Sequence, residues 1–194
     1  MQLLLDVDGV ILNWVRGFEI WIKKNHFPEH GHFNWEKDNA KVDDYDICAR
    51  YGISPTILNH YIKLFNNSLH FQDLPSMPGM YEALTGHIAK GYPKPHTASS
   101  YSACKYAKLA RIKNLKQAWP HFGKHHQLDL YEDKISVFKQ YQDYDYRVVF
   151  IDDKPSNVED ALNNNIEAYL FNQPYNKTSK LPRISWKHLE ERLK

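Results

Sequence analysis

Cysteine is nearly absent. Cys48 and Cys104 are the two in 194 residues, far apart and without metal-ligand spacing. That argues against a disulfide framework and a thiolate metal site, and leaves two idle thiols suited to a reducing compartment. A chain of this length buries enough apolar surface to need neither. Long apolar runs are missing too, and Met1 leads straight into Leu3-Leu4-Leu5-Asp6 with no basic leader. The cytosol is therefore the expected compartment, with no membrane partner. Charge of one sign is also lacking: a formal net charge of +2 gives no argument for a nucleic-acid surface. No repeat or low-complexity tract occurs, and nothing bears on oligomeric state. His121, His125 and His126 lie among Pro120, Gly123 and Lys124, which reads as a polar loop with no partner spaced to complete a metal site. Asp43-Asp44-Tyr45-Asp46 reads as a solvated acidic turn, since no glycine and distal glutamate complete a calcium loop.

What is present is an alternation of short apolar runs and helical stripes. Leu3-Leu4-Leu5 with Val7, then Val148-Val149-Phe150-Ile151, then Ala168-Tyr169-Leu170-Phe171 suit strands covered on both faces. Between them, Val15, Phe18 and Ile22 share a helical face, as do Val158, Ala161 and Leu162. Ser54-Pro55 opens a helix with Leu58, Tyr61, Ile62 and Phe65 on one stripe, and Pro78-Gly79 opens another. The stretch from Ser102 to Ala118 has few breakers. Strands alternating with helices predict an α/β fold, a Rossmann-like parallel sheet. The segment 14–75 has helical signals and no buried strand, which suggests a small helical cap inserted after the first strand. Its middle, Phe27 to Tyr45, reads as loop. The expected organisation is a core of 1–13 and 76–175, the cap of 14–75, and a C-terminal tail or helix of 176–194.

Asp6-Val7-Asp8-Gly9 stands at the carboxyl end of the first apolar strand, where open α/β sheets bind ligands. Asp152-Asp153 stands in the same position after a second strand. A like-charge pair 4 Å apart costs roughly 4 kcal/mol at an effective dielectric near 20. Four carboxylates in one crevice therefore call for a divalent cation, and magnesium suits an all-oxygen site. Thr97, with nearby backbone N–H groups such as that of Ala98, could hold a phosphoryl oxygen ahead of a helix. Lys134 opens a helix before the Asp152 strand and could neutralise both nucleophile and phosphate.

In this order, Asp-x-Asp-Gly, Thr, Lys and the acidic pair with Asn157 resemble the haloacid dehalogenase-like superfamily, from Leu3 to about Phe171. Within it the chain is most similar to the 5′(3′)-deoxyribonucleotidase group. The residues behind that second likeness are Asp8-Gly9-Val10 leading into an aromatic-rich helix, the block from Phe71 to Gly79, and the Thr97 segment. The resemblance implies Asp6 as nucleophile, Asp8 as general acid and base, and Thr97 and Lys134 as phosphate holders. It implies magnesium on Asp6, the Asp8 carbonyl and Asp152, with Asp153 a further or outer ligand and Asn157 an orienting group. The implied activity is phosphomonoester hydrolysis through an aspartyl-phosphate, on a small phosphorylated metabolite or a nucleotide. Phosphotransfer to another acceptor and non-catalytic phosphate binding are the alternatives. One departure stands out: Gly91-Tyr92-Pro93-Lys94-Pro95-His96 replaces the apolar second strand, so Ser99 or Ser100 could take the place of Thr97. Lys139 and Lys124 are lesser candidates for the Lys134 role. In the cap, Trp14, Phe18 and Trp21 follow helical packing spacing, whereas Phe33, Trp35 and Phe71 lie in loop-like stretches and are the candidates for stacking on a base.

Overall fold

The structure, a computed structural model, describes residues 1–25, 47–101, 104–129 and 132–193. Strands β1 (Gln2–Leu5) and β4 (Val148–Asp152) are buried along their whole length. They lie side by side at the centre of a six-stranded sheet ordered β3-β2-β1-β4-β5-β6. The other strands are β2 (His96–Tyr101), β3 (His125–Asp129), β5 (Glu167–Phe171) and β6 (Arg183–Ile184), and every pairing is parallel. The α-helices among the described residues are α1 (Trp14–Asn25), α2 (Ile47–Tyr51), α3 (Pro55–Asn66), α4 (Met80–Ala89), α5 (Lys105–Ala118), α6 (Ile135–Lys139), α7 (Pro155–Asn163) and α8 (Leu189–Arg192). This is the Rossmann-like α/β architecture expected from the alternation of strands and helices.

Alternate strand residues face opposite layers, which explains why the central strands are apolar without interruption. Leu3, Leu5, Val149 and Ile151 enter one cluster with Phe18, Phe65 and Trp119. Leu4 and Phe150 enter the other with Phe138 and Val158. The first cluster also takes in α1 and α3, so the helices between β1 and α4 share apolar packing with one face of the sheet. Trp14 stacks on Phe18 at 5.1 Å between ring centres, and Phe65 meets Phe18 edge-on at 5.5 Å. Such pairs contribute about 0.5–1.5 kcal/mol each beyond area burial. The α3 start is capped as its sequence suggests: Ser54 Oγ accepts from the Ile57 N–H at 3.3 Å, and Pro55 occupies the first turn.

Three expectations change. The second strand begins after the prolines, at His96, and runs to Tyr101. The stretch holding His125 and His126 is strand β3, not a loop. Residues 176–193 add β6 to the sheet edge and bring Trp186 into the core, where its Nε1 donates to Val10 O at 2.8 Å. The Phe27–Tyr45 stretch and the Asp43–Asp46 turn lie outside the described residues.

The chain builds outward from β1 to β2 and β3, then crosses back to lay β4, β5 and β6 on the other side of β1. The connections leaving β1 and β4 therefore diverge, and a crevice opens between them. No helix of the described residues is long and apolar enough to cross a membrane.

Candidate active site

Leu5 of β1 is the register partner of Ile151 of β4, and the Asp6 N–H donates to Ile151 O at 2.8 Å. Asp6 and Asp152 therefore leave the sheet side by side, at the point where the two connections part. Asp153 follows. One carboxylate oxygen from each of Asp6, Asp152 and Asp153 lies within 4.8 Å of the others, and all three residues are buried.

Lys134, just before α6, is 5% exposed and places its ammonium among them. It donates to Asp6 Oδ1 and to Asp152 Oδ2, the latter at 2.7 Å. Asp152 is bonded further by Asn157 Nδ2 at 2.9 Å and by the Lys154 N–H at 2.8 Å, both from the start of α7. Asp153 accepts from the Tyr175 hydroxyl, and its backbone carbonyl accepts from Asn176 Nδ2 at 2.8 Å. Gly9 makes room for this. Its φ of +80° suits glycine, and a Cβ there would overlap the Asp153 carboxylate.

Crowding of like charge in a dry site sets the protonation behaviour. Burial pushes the Asp6 carboxyl up to about 7; Lys134 opposes the rise, while Asp152 and Asp8 add to it. Burial also raises Asp153 well above the carboxylate range, with repulsion from Asp152 and Asp6 acting the same way. For Lys134 burial works against the charged form, but Asp152 and Asp6 outweigh it and its pKa is raised. Asp8 is raised by burial against the pull of Arg111, whose Nη2 donates to Asp8 Oδ2 at 2.6 Å.

With all four carboxylates ionised, the two buried cations Lys134 and Arg111 would leave two negative charges among these groups. One divalent cation balances them. The donor set is all oxygen, which fits magnesium, and Asp6, Asp152 and Asp153 are the side chains that would hold it. The Asp8 side chain is turned to Arg111 instead of joining that group.

Most of the residues singled out in the sequence converge here: Asp6, Asp8, Lys134, Asp152, Asp153 and Asn157. Thr97 and Ala98 do not. Thr97 pairs with Leu5, before the level of Asp6, and its hydroxyl is engaged with His125 Nδ1. Ala98 is fully buried in the core opposite His126. The prolines displace the strand toward the C-terminus, so its mouth is formed by Ser99 and Ser100, which do line the crevice. Lys124 is exposed and bonded to Gln140 at 2.9 Å, and Lys139 is exposed on α6. Phe71 is 2% exposed, set edge-on to Phe65, and lies under the Arg111 guanidinium, so it packs and offers no face to a base. Phe33 and Trp35 lie outside the described residues.

Residues that sequence reasoning missed include Arg111 and Tyr175. One is a basic residue in an unremarked helix, the other a tyrosine after β5, and neither carries a linear signal. Two cavities meet at the carboxylates. One, of about 490 Å³, is polar, with Asp6, Asp8, Ser99, Ser100, Lys134 and Asn157 on its wall. The other, of about 200 Å³, adds Trp14 and Tyr175 to Asp6, Asp8, Asp152 and Asp153.

No family model matches the chain, and no curated protein matches its sequence. Solved structures do resemble it. A hydrolase from Streptococcus pneumoniae TIGR4 has a TM-score of 0.61 at 11% identity, over 89% of this chain and 92% of that one. D,D-heptose 1,7-bisphosphate phosphatase from B. bronchiseptica, complexed with magnesium and phosphate, has a TM-score of 0.54 at 12% identity, over 99% of each chain. L-2-haloacid dehalogenase from Xanthobacter autotrophicus, with chloropropionic acid covalently bound, has a TM-score of 0.52 at 10% identity, over 88% of this chain and 76% of that one. At such identities the likeness is one of fold, and the fold is that of haloacid dehalogenase-like hydrolases.

Proposed function

We propose that this protein is a haloacid dehalogenase-like phosphatase, a magnesium-dependent phosphomonoester hydrolase that passes the phosphoryl group through Asp6. The observation that carries the reading is the pairing of two unlike carboxyl groups on one cavity. Asp6 is bound by Lys134 within the three-carboxylate cluster, whereas Asp8 lines the same cavity outside that cluster and is held by Arg111.

In this reading Asp6 attacks phosphorus. An Asp6 oxygen–phosphorus bond forms, and the bond from phosphorus to the leaving alcohol breaks. Asp8 gives its proton to that alcohol, then takes one from the water that attacks the aspartyl-phosphate, releasing inorganic phosphate and restoring Asp6. Lys134, with the hydroxyls of Ser99 and Ser100, would hold the phosphoryl oxygens as charge builds on them. Asp152, fixed by Asn157 and the Lys154 N–H, would hold the metal with Asp6 and Asp153. When bound, magnesium would offset the repulsion between the Asp6 carboxylate and the phosphoryl oxygens. Removal of a halide needs no acid at the leaving group, so Asp8 favours phosphate-ester cleavage over dehalogenation.

For the substrate, nucleoside monophosphates remain the proposal, with segment 14–75 as the selecting cap. Support shifts from Phe71 to Trp14, which is half-buried and shares the smaller cavity with Tyr175 beside the carboxylates. The test is phosphate release from a panel of phosphomonoesters. Release with magnesium, loss in chelator, weak support by calcium and a preference for nucleotides over sugar phosphates are expected. Full activity in chelator would refute the metal-dependent site; preference for sugar phosphates would refute the nucleotide assignment alone.

A further inference from the structure

Arg111 stands midway along α5 on the buried face that also carries Ala107, Ala110, Asn114 and Leu115, and it is 2% exposed. A cation taken this far from water costs several kcal/mol unless it is paired. Its Nη2 meets Asp8 Oδ2 at 2.6 Å, and its guanidinium carbon lies 4.6 Å from the centre of the Phe71 ring. The ring is itself fixed by α5, because Asn114 Nδ2 donates to Phe71 O at 2.7 Å. One helix face thus holds both the arginine and the surface it lies on. Asp8 keeps 36% of its side-chain exposure against 3% for Arg111, so Asp8 faces the crevice while Arg111 stands behind it.

We propose that Arg111 is the positioning residue of Asp8: bound at Oδ2, it holds the carboxyl group at the crevice, where the leaving group and water meet it. This rests on the phosphatase reading given above. A guanidinium has five donors, no acceptor, and stays charged at working pH, so the oxygen facing it must accept. Oδ1 is itself buried and has no partner among the described residues, so the exposure of Asp8 lies elsewhere on its side chain. Nε and Nη1 of Arg111 also lack partners among the described residues, so direct capture of a phosphoryl oxygen by Arg111 is the rival role.

The experiment compares a primary alkyl phosphate, whose alcohol needs a proton to leave, with 4-nitrophenyl phosphate, whose nitrophenolate does not. Arg111→Met keeps the stem over Phe71 and removes the donors; Arg111→Lys keeps the charge and one donor. For Arg111→Met, kcat on the alkyl phosphate should fall about 10–100-fold with KM within about threefold, part of the effect of a general acid. The initial burst of nitrophenolate, which reports the first step alone, should slow by less than about threefold. Arg111→Lys should recover part of the loss. In an Asp8→Asn background, Arg111→Met should add less than about twofold, since both changes remove one function. Equal losses on the two substrates, a rise in KM at constant kcat, or a multiplicative loss in the Asp8→Asn background would overturn the proposal and favour phosphate capture or plain packing. Should Arg111→Met fail to fold by circular dichroism, Arg111→Lys carries the same substrate asymmetry as its test. Absence of phosphate release by the unaltered protein from either substrate would refute the phosphatase reading, and this role with it.

Discussion

Lys134 Nζ lies 2.7 Å from Asp152 Oδ2, although one residue precedes α6 and the other ends β4. The same ammonium donates to Asp6, and it is almost wholly out of water. Breaking such a buried pair by removing one partner costs about 3–5 kcal/mol, because the other charge is left uncompensated. Lys134→Met is therefore expected to lower the unfolding free energy by about 3 kcal/mol at neutral pH and to abolish phosphate release. Urea titration checks the first and a phosphate assay the second. A loss below about 1 kcal/mol would mean that the ammonium does not hold the carboxylates together.

Metal and pH should act on stability together. Folding raises the Asp6 carboxyl from 3.8 to about 7, so the folded state keeps a proton that the unfolded state releases. The contribution of Asp6 to stability is therefore full below 3.8 and is lost as pH rises through about 7. Asp153, raised by burial and by its neighbours, acts in the same direction. In chelator the melting temperature should fall between about pH 6 and about pH 8, and magnesium should reverse the fall, with the larger gain at the higher pH. At a hundredfold excess over Kd the gain is about 2.7 kcal/mol. Equal melting curves with magnesium and with chelator at both pH values would contradict the carboxylate cluster as a cation site.

Gly9 offers a probe of that cluster from the backbone side. An added Cβ would meet the Asp153 carboxylate and the Tyr175 hydroxyl, at a φ that L side chains rarely adopt. Gly9→Ala should cost about 1–3 kcal/mol in strain and weaken magnesium binding by displacing Asp153. Calorimetric titration with magnesium reads the second effect. Unchanged affinity would place Asp153 outside the coordination sphere.

The central strands were legible because both faces are covered, so Leu3-Leu4-Leu5 and Val148-Val149-Phe150-Ile151 read as apolar throughout. β2 and β3 were not. Their buried side chains include Thr97, Ser99 and His126, which the linear sequence marks as polar. What makes them bury is pairing across the sheet and onto Tyr141 in the turn after α6. Thr97 engages His125, its register partner, and the Tyr141 hydroxyl lies 2.6 Å from His96 Nδ1 and 2.7 Å from His126 Nε2. Such partners are set by register, which a linear reading does not contain. The same holds at the site. Asp6, Asp152 and Asp153 announce themselves by ending apolar strands, and Lys134 by its place in their order. Arg111 resembles any other basic residue of α5 until the fold carries it to Asp8.

Selectivity should depend on Trp14. A base stacked on one aromatic ring gains roughly 1–3 kcal/mol by analogy with single-strand binding. Trp14→Leu, which keeps an apolar contact with Phe18, should raise KM for a nucleoside monophosphate by about 5–100-fold and leave a small aliphatic phosphate nearly unaffected. Equal increases for both would make Trp14 a packing residue and remove the support for a nucleotide substrate.

The central claim is that Asp6 carries the phosphoryl group. The direct measurement is mass analysis of the protein after acid quench during turnover of a phosphomonoester with magnesium. It should find one phosphoryl group on the peptide containing Asp6, lost on alkaline treatment as an acyl phosphate is. Asp6→Asn, nearly isosteric, should remain folded, show no such adduct and keep less than about a hundredth of the activity, since loss of the nucleophile should cost at least what loss of acid–base help does. Turnover that persists above that level in Asp6→Asn, or a phosphoryl group trapped on another residue, would contradict it.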